Sequence, residues 1–209
     1  YTVAAQVLAD WFAVDIGDVR VVALDSLEAP PHFGPGGSRL GVALTGAVLG
    51  AAERLTRKLI AVAAVLFQTT PEHVELRDGR IGVKGMPEAS MPFQEVAQTM
   101  LARSDLLPPG VDPLPQATYV WTAPGRTIAD DQGRAKSYLT AANACHVVLV
   151  EVDVETAQVH IRKYWIADDC GTRLNPANVE GQTQGGVAQG VGAALLEEAV
   201  YDEDAQLRT

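Results

Sequence analysis

The chain has 209 residues, 47% of them apolar and 20% charged, with a formal net charge of −10. That is enough for one well-cored domain or a large piece of a bigger one, and no uninterrupted apolar run reaches bilayer-spanning length. The acidic balance, with no basic stripe, argues against a nucleic-acid partner, and two cysteines are too few for an iron–sulfur cluster and lack zinc spacing. No basic n-region with an apolar core opens the chain, and Cys145 and Cys170 read as free thiols in a reducing cytoplasm.

"TVAAQVLADWFAV" carries apolar residues at Val3, Val7, Leu8, Trp11, Phe12 and Val14, a helical stripe. No capping residue precedes it, so the sequence is expected to open inside or just before a helix of a longer protein. "DVRVVAL" (18–24) is β-branched and predicts a strand, and "DSLEAPPHFGPGG" (25–37) is dense in Pro and Gly and predicts a loop. From Ser38 the pattern turns helical. Leu44, Val48, Ala51, Ala52, Leu55, Leu59, Val62 and Leu66 form a long buried stripe, with Arg54, Arg57 and Lys58 off it.

"HVELRDGRIGVK" (73–84) predicts a hairpin in which Asp78-Gly79 supplies the positive φ angles of a type I′ turn. A short amphipathic helix follows at 92–103, then a Pro-rich stretch and a strand at "ATYVW" (117–121). Residues 122–142 show no period. "CHVVLVEVD" (145–153) and "QVHIRKYWIADD" (158–169) predict a strand pair, and a glycine-spaced helix follows "NP". "AVYDEDAQLRT" predicts a strand, a turn and the start of another strand, so both ends look cut. No linker divides the chain, and hairpins mixed with long helices favour an α+β fold.

The chemistry-bearing residues are sparse. The histidines His32, His73, His146 and His160 are scattered, and Cys145 and His146 are strand neighbours facing opposite ways, so no protein-ligated metal site is expected. Asp168 and Asp169 face opposite ways for the same reason and make a poor acid–base pair. "GPGGSR" (34–39) before a long helix suits either of two roles. Ser38 acts as an N-cap, or the backbone N–H groups, Ser38 and Arg39 form an anion seat at the helix N-terminus.

"DDCGTRLNPANVEGQTQGGVAQGVGAALLEE" (168–198) is the least ordinary stretch. Glycine costs a helix interior roughly 1 kcal/mol relative to alanine, so Gly181, Gly185, Gly186 and Gly190 call for close packing or close approach of a ligand. Gln182, Gln184 and Gln189 each offer an amide donor and acceptor, suited to a heterocycle edge or an oxo group.

Asp169, Gly171, Asn175, Pro176, Gly181, Gln182, Gly185, Gly186, Gln189, Gly190 and Gly192, in that order, resemble the large, molybdopterin-binding subunit of the molybdenum hydroxylases. That family comprises the xanthine dehydrogenases, aldehyde oxidases and aerobic carbon monoxide dehydrogenases. "CHVVLVEVDVETAQVHIRKYW" resembles its strand–turn–strand, "GGSRLGVALTGAVLGAAERL" its cofactor-phosphate turn and helix, and "AAQVLADWFAVDIGDVRV" the helix after its Gln-Gly-x-x-x-Thr loop. The resemblance covers most of the chain. It implies that 1–209 is part of one molybdopterin-binding domain, α+β, with mixed sheets and long packed helices.

By that resemblance Gln182, beside Gly181, hydrogen-bonds the pterin or its nucleotide extension, the cytosine dinucleotide form of the cofactor being one such. Ser38, helped by Gly37 and Arg39, sits by the phosphate, and Thr2 is the last remnant of the loop that touches the pterin. Two hydroxyl positions of the family are Pro35 and Leu40 here. The catalytic glutamate is expected beyond Thr209, so no catalytic residue is assigned, and Glu197 and Glu198 are expected to be a solvated helix face. The resemblance further implies a small-molecule substrate, FeS and FAD groups on partner subunits or domains, and a hetero-oligomer that dimerises. A degenerate scaffold of the same fold is the alternative.

Overall fold

The computed structural model describes residues 1–25, 27, 34, 36–123, 129–135 and 141–209. It divides into two compact units, Tyr1–Pro124 and Gly125–Thr209. The fold is α+β, and the described strands pair antiparallel.

In the first unit, helix α1 (Thr2–Phe12) lies against helix α2 (Leu40–Leu66). Ala4, Ala5, Ala9 and Phe12 are its buried residues, so alanines replace the expected valines at the centre of the face. Small side chains let two helices approach closely, and Val3 and Val7 are left at the flank, partly exposed. Trp11 Nε1 donates to the buried Thr56 Oγ1 at 3.0 Å, tying α1 to α2.

Strands β1 (Val74–Arg77), β2 (Arg80–Val83) and β3 (Ser90–Pro92) form a meander in that order. The turn follows the Asp-Gly expectation, with φ of 48° at Asp78 and 73° at Gly79. Glycine is needed there twice over, because a Cβ at Gly79 would lie 3.0 Å from the Phe12 carbonyl oxygen at the end of α1. Helix α3 (Phe93–Ala102) closes the core, where Leu59, Val62, Ile81, Val96 and Met100 are 0–1% exposed. Phe12 and Phe93 stack at 4.8 Å between ring centroids.

Two expected strands are absent. Residues 19–25 hold no ladder partner among the described residues. β-Branched residues favour extended backbone, but a strand also needs a partner to satisfy its N–H and C=O groups.

Residues 112–121 are extended too, yet they pack on a helix rather than a strand. Lys58 Nζ donates to Asp112 Oδ2 (2.7 Å), Leu114 O (2.9 Å) and Gln116 O (3.1 Å), and Arg54 Nη1 donates to Thr118 O (2.8 Å). The Arg54 guanidinium lies 4.8 Å from the Tyr119 ring centroid. A Cβ at Gly50 would overlap the Tyr119 ring, and one at Gly46 the Trp121 indole. The segment is a strap running antiparallel to α2, gripped at every fourth helical residue: 58, 54, 50 and 46. The rise of four helical residues is about 6 Å and that of two extended residues about 6.6 Å, so the periods match. Pro115, Ala117, Tyr119, Trp121 and Ala123 are accordingly half-buried, while Leu114, Gln116, Thr118, Val120 and Thr122 are exposed.

In the second unit, strands β4 (Asn143–Val152) and β5 (Val159–Asp169) form a two-stranded ribbon with a bulge at Leu149/Val150. Asp153 Oδ1 accepts from the N–H groups of Glu155 (2.8 Å) and Thr156 (3.2 Å), which shapes the connecting turn. Those bonds hold its carboxyl below the usual carboxylate range. Helix α4 (Pro176–Leu195) begins with Asn175 as N-cap and Pro176 at the first helical position. Asn175 Oδ1 accepts from the Asn178 N–H at 3.1 Å, so the Asn-Pro of the motif is a helix start. Near the end, Tyr201 and Leu207 form an antiparallel bridge, the short hairpin expected there.

Candidate functional site

The turn before α2 is built around positive φ angles: 68° at Gly34, 67° at Gly37 and 55° at Ser38. Arg39 then returns to the right-handed region (φ −88°, ψ −6°) and is itself the helix N-cap, with no side-chain cap bond. The expectation that Ser38 caps the helix is therefore corrected. The N-cap position falls on Arg39, and Ser38 stands one residue before it at φ 55°. Ser38 at positive φ followed by Arg39 in the right-handed region is one left–right step, the kind that turns successive N–H groups toward one side. Beyond it, Leu40, Gly41 and Val42 lack intrahelical partners for their N–H groups, as at any helix N-terminus.

Arg39 closes the turn, its Nε and Nη2 donating to the Gly34 carbonyl oxygen at 3.3 and 3.1 Å. Among the described residues, Cβ atoms built at Gly34, Gly36, Gly37 and Gly41 would meet nothing within 4 Å. Pro35 lies outside the described residues, and Leu40 is 52% exposed. Thr45, one turn into α2, was not singled out by sequence. Its Oγ1 is buried with no hydrogen-bond partner among the described residues. A lone hydroxyl in an apolar helical run was the available signal.

Thr2 opens α1 and is exposed, and no hydrogen bond among the described residues joins it to this turn.

In the second unit Gly181 and Gln182 lie in the second turn of α4, and both are exposed. Helical periodicity sets Gln182 and Gln189 on one stripe, with Gly181, Gly185 and Gly192 to one side and Gly186 and Gly190 to the other. Gln184 faces the opposite way and donates to Glu180 Oε1 at 3.1 Å. Packing within the described chain does not explain four of these glycines: a Cβ at Gly181, Gly185, Gly186 or Gly190 would meet nothing within 4 Å. Asp168 Oδ2 accepts from Thr183 Oγ1 (3.1 Å), and Asp169 Oδ1 accepts from the Gly171 N–H (3.0 Å). The acidic pair thus shapes the turn and fixes the angle at which α4 leaves it. Among the described residues no cluster of three or more His, Cys, Asp or Glu is placed to hold a metal.

A cleft of about 400 Å³ beside β1–β3, lined by Arg77, Asp78, Arg80, Met86 and Ser90 among others, contains none of the residues expected to bind a cofactor. Arg80 is committed there to Ser90 Oγ (3.0 Å) and Ser90 O (2.8 Å). The two features that carry ligand chemistry are instead an uncapped, positive-φ turn suited to a phosphate and a glutamine stripe with free space beside it. Taken separately, the turn of the first unit suits a phosphate and the glutamine stripe of the second suits a heterocycle edge.

A family model described as a molybdopterin cofactor-binding domain matches residues 1–209. The nicotine 6-hydroxylase large subunit of Paenarthrobacter nicotinovorans is 34% identical over 208 residues, covering 100% of this chain and 24% of the relative. The carbon monoxide dehydrogenase large chain of Afipia carboxidovorans is 29% identical, covering 97% and 23%. Among solved structures, quinoline 2-oxidoreductase from Pseudomonas putida 86 superposes with a TM-score of 0.84 at 34% identity, over 100% of this chain and 25% of the other. The chain spans about a quarter of the length of the relatives it matches. With the sequence resemblance, the fold and a full-length family match in agreement, the chain belongs to the molybdopterin cofactor-binding domain family of the molybdenum hydroxylase large subunits.

Proposed function

We propose that this chain is the cofactor-holding portion of an oxidoreductase that hydroxylates or oxidises a small substrate, such as an aldehyde, an N-heterocycle or a carbon monoxide-like molecule. The observation that carries the reading is the match of the whole chain to the cofactor-binding domain, together with the uncapped turn at Gly37–Arg39. In the first unit, Gly37, Ser38 and Arg39 take the cofactor's phosphate through N–H groups, a hydroxyl and a guanidinium. Thr2 approaches the pterin. In the second unit, Gln182 hydrogen-bonds the pterin or its cytosine nucleotide extension, and Gly181 lets the ligand come close to the helix backbone.

The bound molybdenum–pterin group supplies the two-electron redox chemistry, and this chain's residues bind and orient it. Electrons leave to FeS and flavin groups on partner subunits or domains of a hetero-oligomer, a reading supported by relatives named as the large chain or subunit of their enzymes. The 209 residues alone are expected to leave aldehydes and purines untouched.

The test is metal and pterin content of the full-length protein, purified as wild type, Arg39→Ala and Gln182→Ala. Near-stoichiometric molybdenum and pterin in the wild type, with about tenfold faster cofactor loss in each variant, is the expected result; tenfold corresponds to about 1.4 kcal/mol, within reach of one charge-assisted hydrogen bond. A wild type holding neither metal nor pterin identifies a degenerate scaffold instead.

A further inference from the structure

The N-terminal turns of α2, which carry the turn at Gly37–Arg39, are thinly packed. Leu40, Val42 and Leu49 are 52%, 41% and 36% exposed, Gly50 is the first buried residue, and the α2 members of the core cluster begin at Ala52. The helix start also has no side-chain cap bond. Thinly packed helix ends open locally, and amide donors in an opening segment lose their common direction.

The strap spans this gradient. Its Lys58 end makes three bonds to one ammonium, and Arg54 fixes the next step by a carbonyl bond and by stacking on Tyr119. Both cations lie in the half of α2 that reaches the core. The other two steps have no polar bond: Tyr119 lies on Gly50 and Trp121 on Gly46, each ring against helix backbone. A side chain at either glycine would push the ring away, so these contacts exist only because the helix surface there is bare.

We propose that Tyr119 and Trp121 are positioning residues for the cofactor phosphate: they carry the rigidity of the cored half of α2 to its thin N-terminal half and keep the N–H groups of Ser38–Val42 aimed together. The inference rests on the reading of the Gly37–Arg39 turn as the phosphate seat. A strap with a merely structural role would add global stability and leave the exchange of the first α2 amides and cofactor retention tied to unfolding.

The experiment uses the cofactor-loaded full-length protein as wild type, Trp121→Ala, Trp121→Phe and Arg39→Ala. It reads hydrogen exchange at residues 40–46 and 59–66 together with the rate of cofactor loss. Trp121→Ala is expected to speed exchange at 40–46 about tenfold with 59–66 unchanged, and to speed cofactor loss by about the same factor. Trp121→Phe restores both. Gly46→Ala, which displaces the ring from the helix side, gives the same readouts if Trp121→Ala does not accumulate. Unchanged exchange at 40–46 overturns the inference. So does faster exchange with wild-type cofactor loss while Arg39→Ala releases the cofactor. If Arg39→Ala also retains the cofactor, the phosphate-seat reading falls and takes this inference with it.

Discussion

The two units are built from equally apolar sequence but bury it very differently. In the first, α2 collects α1, the β1–β3 meander and α3 around side chains that are almost wholly enclosed, Leu59, Val62, Ile81, Val96 and Met100. In the second, Gly192 is the only buried residue among those described. Val147, Val148, Leu149, Val150, Val152, Val159, Ile161, Tyr164 and Trp165 are all 36% exposed or more. Strands apolar on both faces are the pattern of a sheet covered on both sides, and a lone two-stranded ribbon is marginal in water. Local pattern therefore decides that β4 and β5 are strands, while burial depends on what lies against them. The first unit is stabilised by its own core; the second holds a glutamine-bearing helix at a defined angle.

The strongest way to break that contrast is to remove matched apolar groups from each side. Leu59→Ala, at a side chain 1% exposed, is expected to cost about 2–5 kcal/mol in denaturant unfolding, the transfer loss plus the cavity. Val148→Ala in the ribbon, 40% exposed, is expected to stay within about 0.5 kcal/mol in the same chain. Comparable losses would mean that the ribbon is covered in solution.

A second, smaller effect has the opposite sign. Gly185→Ala on α4 adds a methyl group where nothing among the described residues stands within 4 Å, so helicity and stability of the 209-residue chain should rise by up to about 1 kcal/mol. A loss of stability would show that α4 is already packed against something.

The smallest effect concerns pH and the strap. Asp112 is held below the usual carboxylate range, chiefly by the Lys58 ammonium and also by the Leu114 N–H. A depressed carboxyl contributes stability that is present above its unfolded pKa, about 3.9, and is lost as pH falls through the lower folded value. Tryptophan and tyrosine fluorescence from Trp121 and Tyr119 should therefore report a small loosening at the Lys58 end of the strap only below about pH 4. Asp112→Asn should abolish that acid step, and a step that persisted would place the titrating group elsewhere.

Much of this architecture is legible from residue spacing. Both long helices, the Asp78-Gly79 hairpin and the ribbon follow from periods of 3.6 and 2 and from turn chemistry. The strap was half legible: "ATYVW" (117–121) marks extended backbone, but nothing local says whether its partner is a strand or a helix. The missing clue lay far back in the chain, in the Gly46, Gly50, Arg54, Lys58 spacing. The sequence leaves Ser38 between a cap and an anion seat because composition gives the residue type and not the sign of its φ. The α4 glycines were correctly flagged as unusual, and their open surroundings remove the packing explanation within the described chain.

The spacing of the strap's four grips has a geometric consequence. Four residues turn a helix by about 400°, so each grip is displaced about 40° around the cylinder from the one before. Over the three intervals from Lys58 to Gly46 the line of contact winds about 120° around α2 while climbing about 18 Å. The strap therefore follows the inclined ridge of i±4 positions instead of the helix axis. It leaves Val111, which packs against the core, and reaches a different side of α2 at Trp121. A single extended segment, by crossing obliquely, embraces a third of the helix circumference, and a pull on either end tightens the wrap around α2.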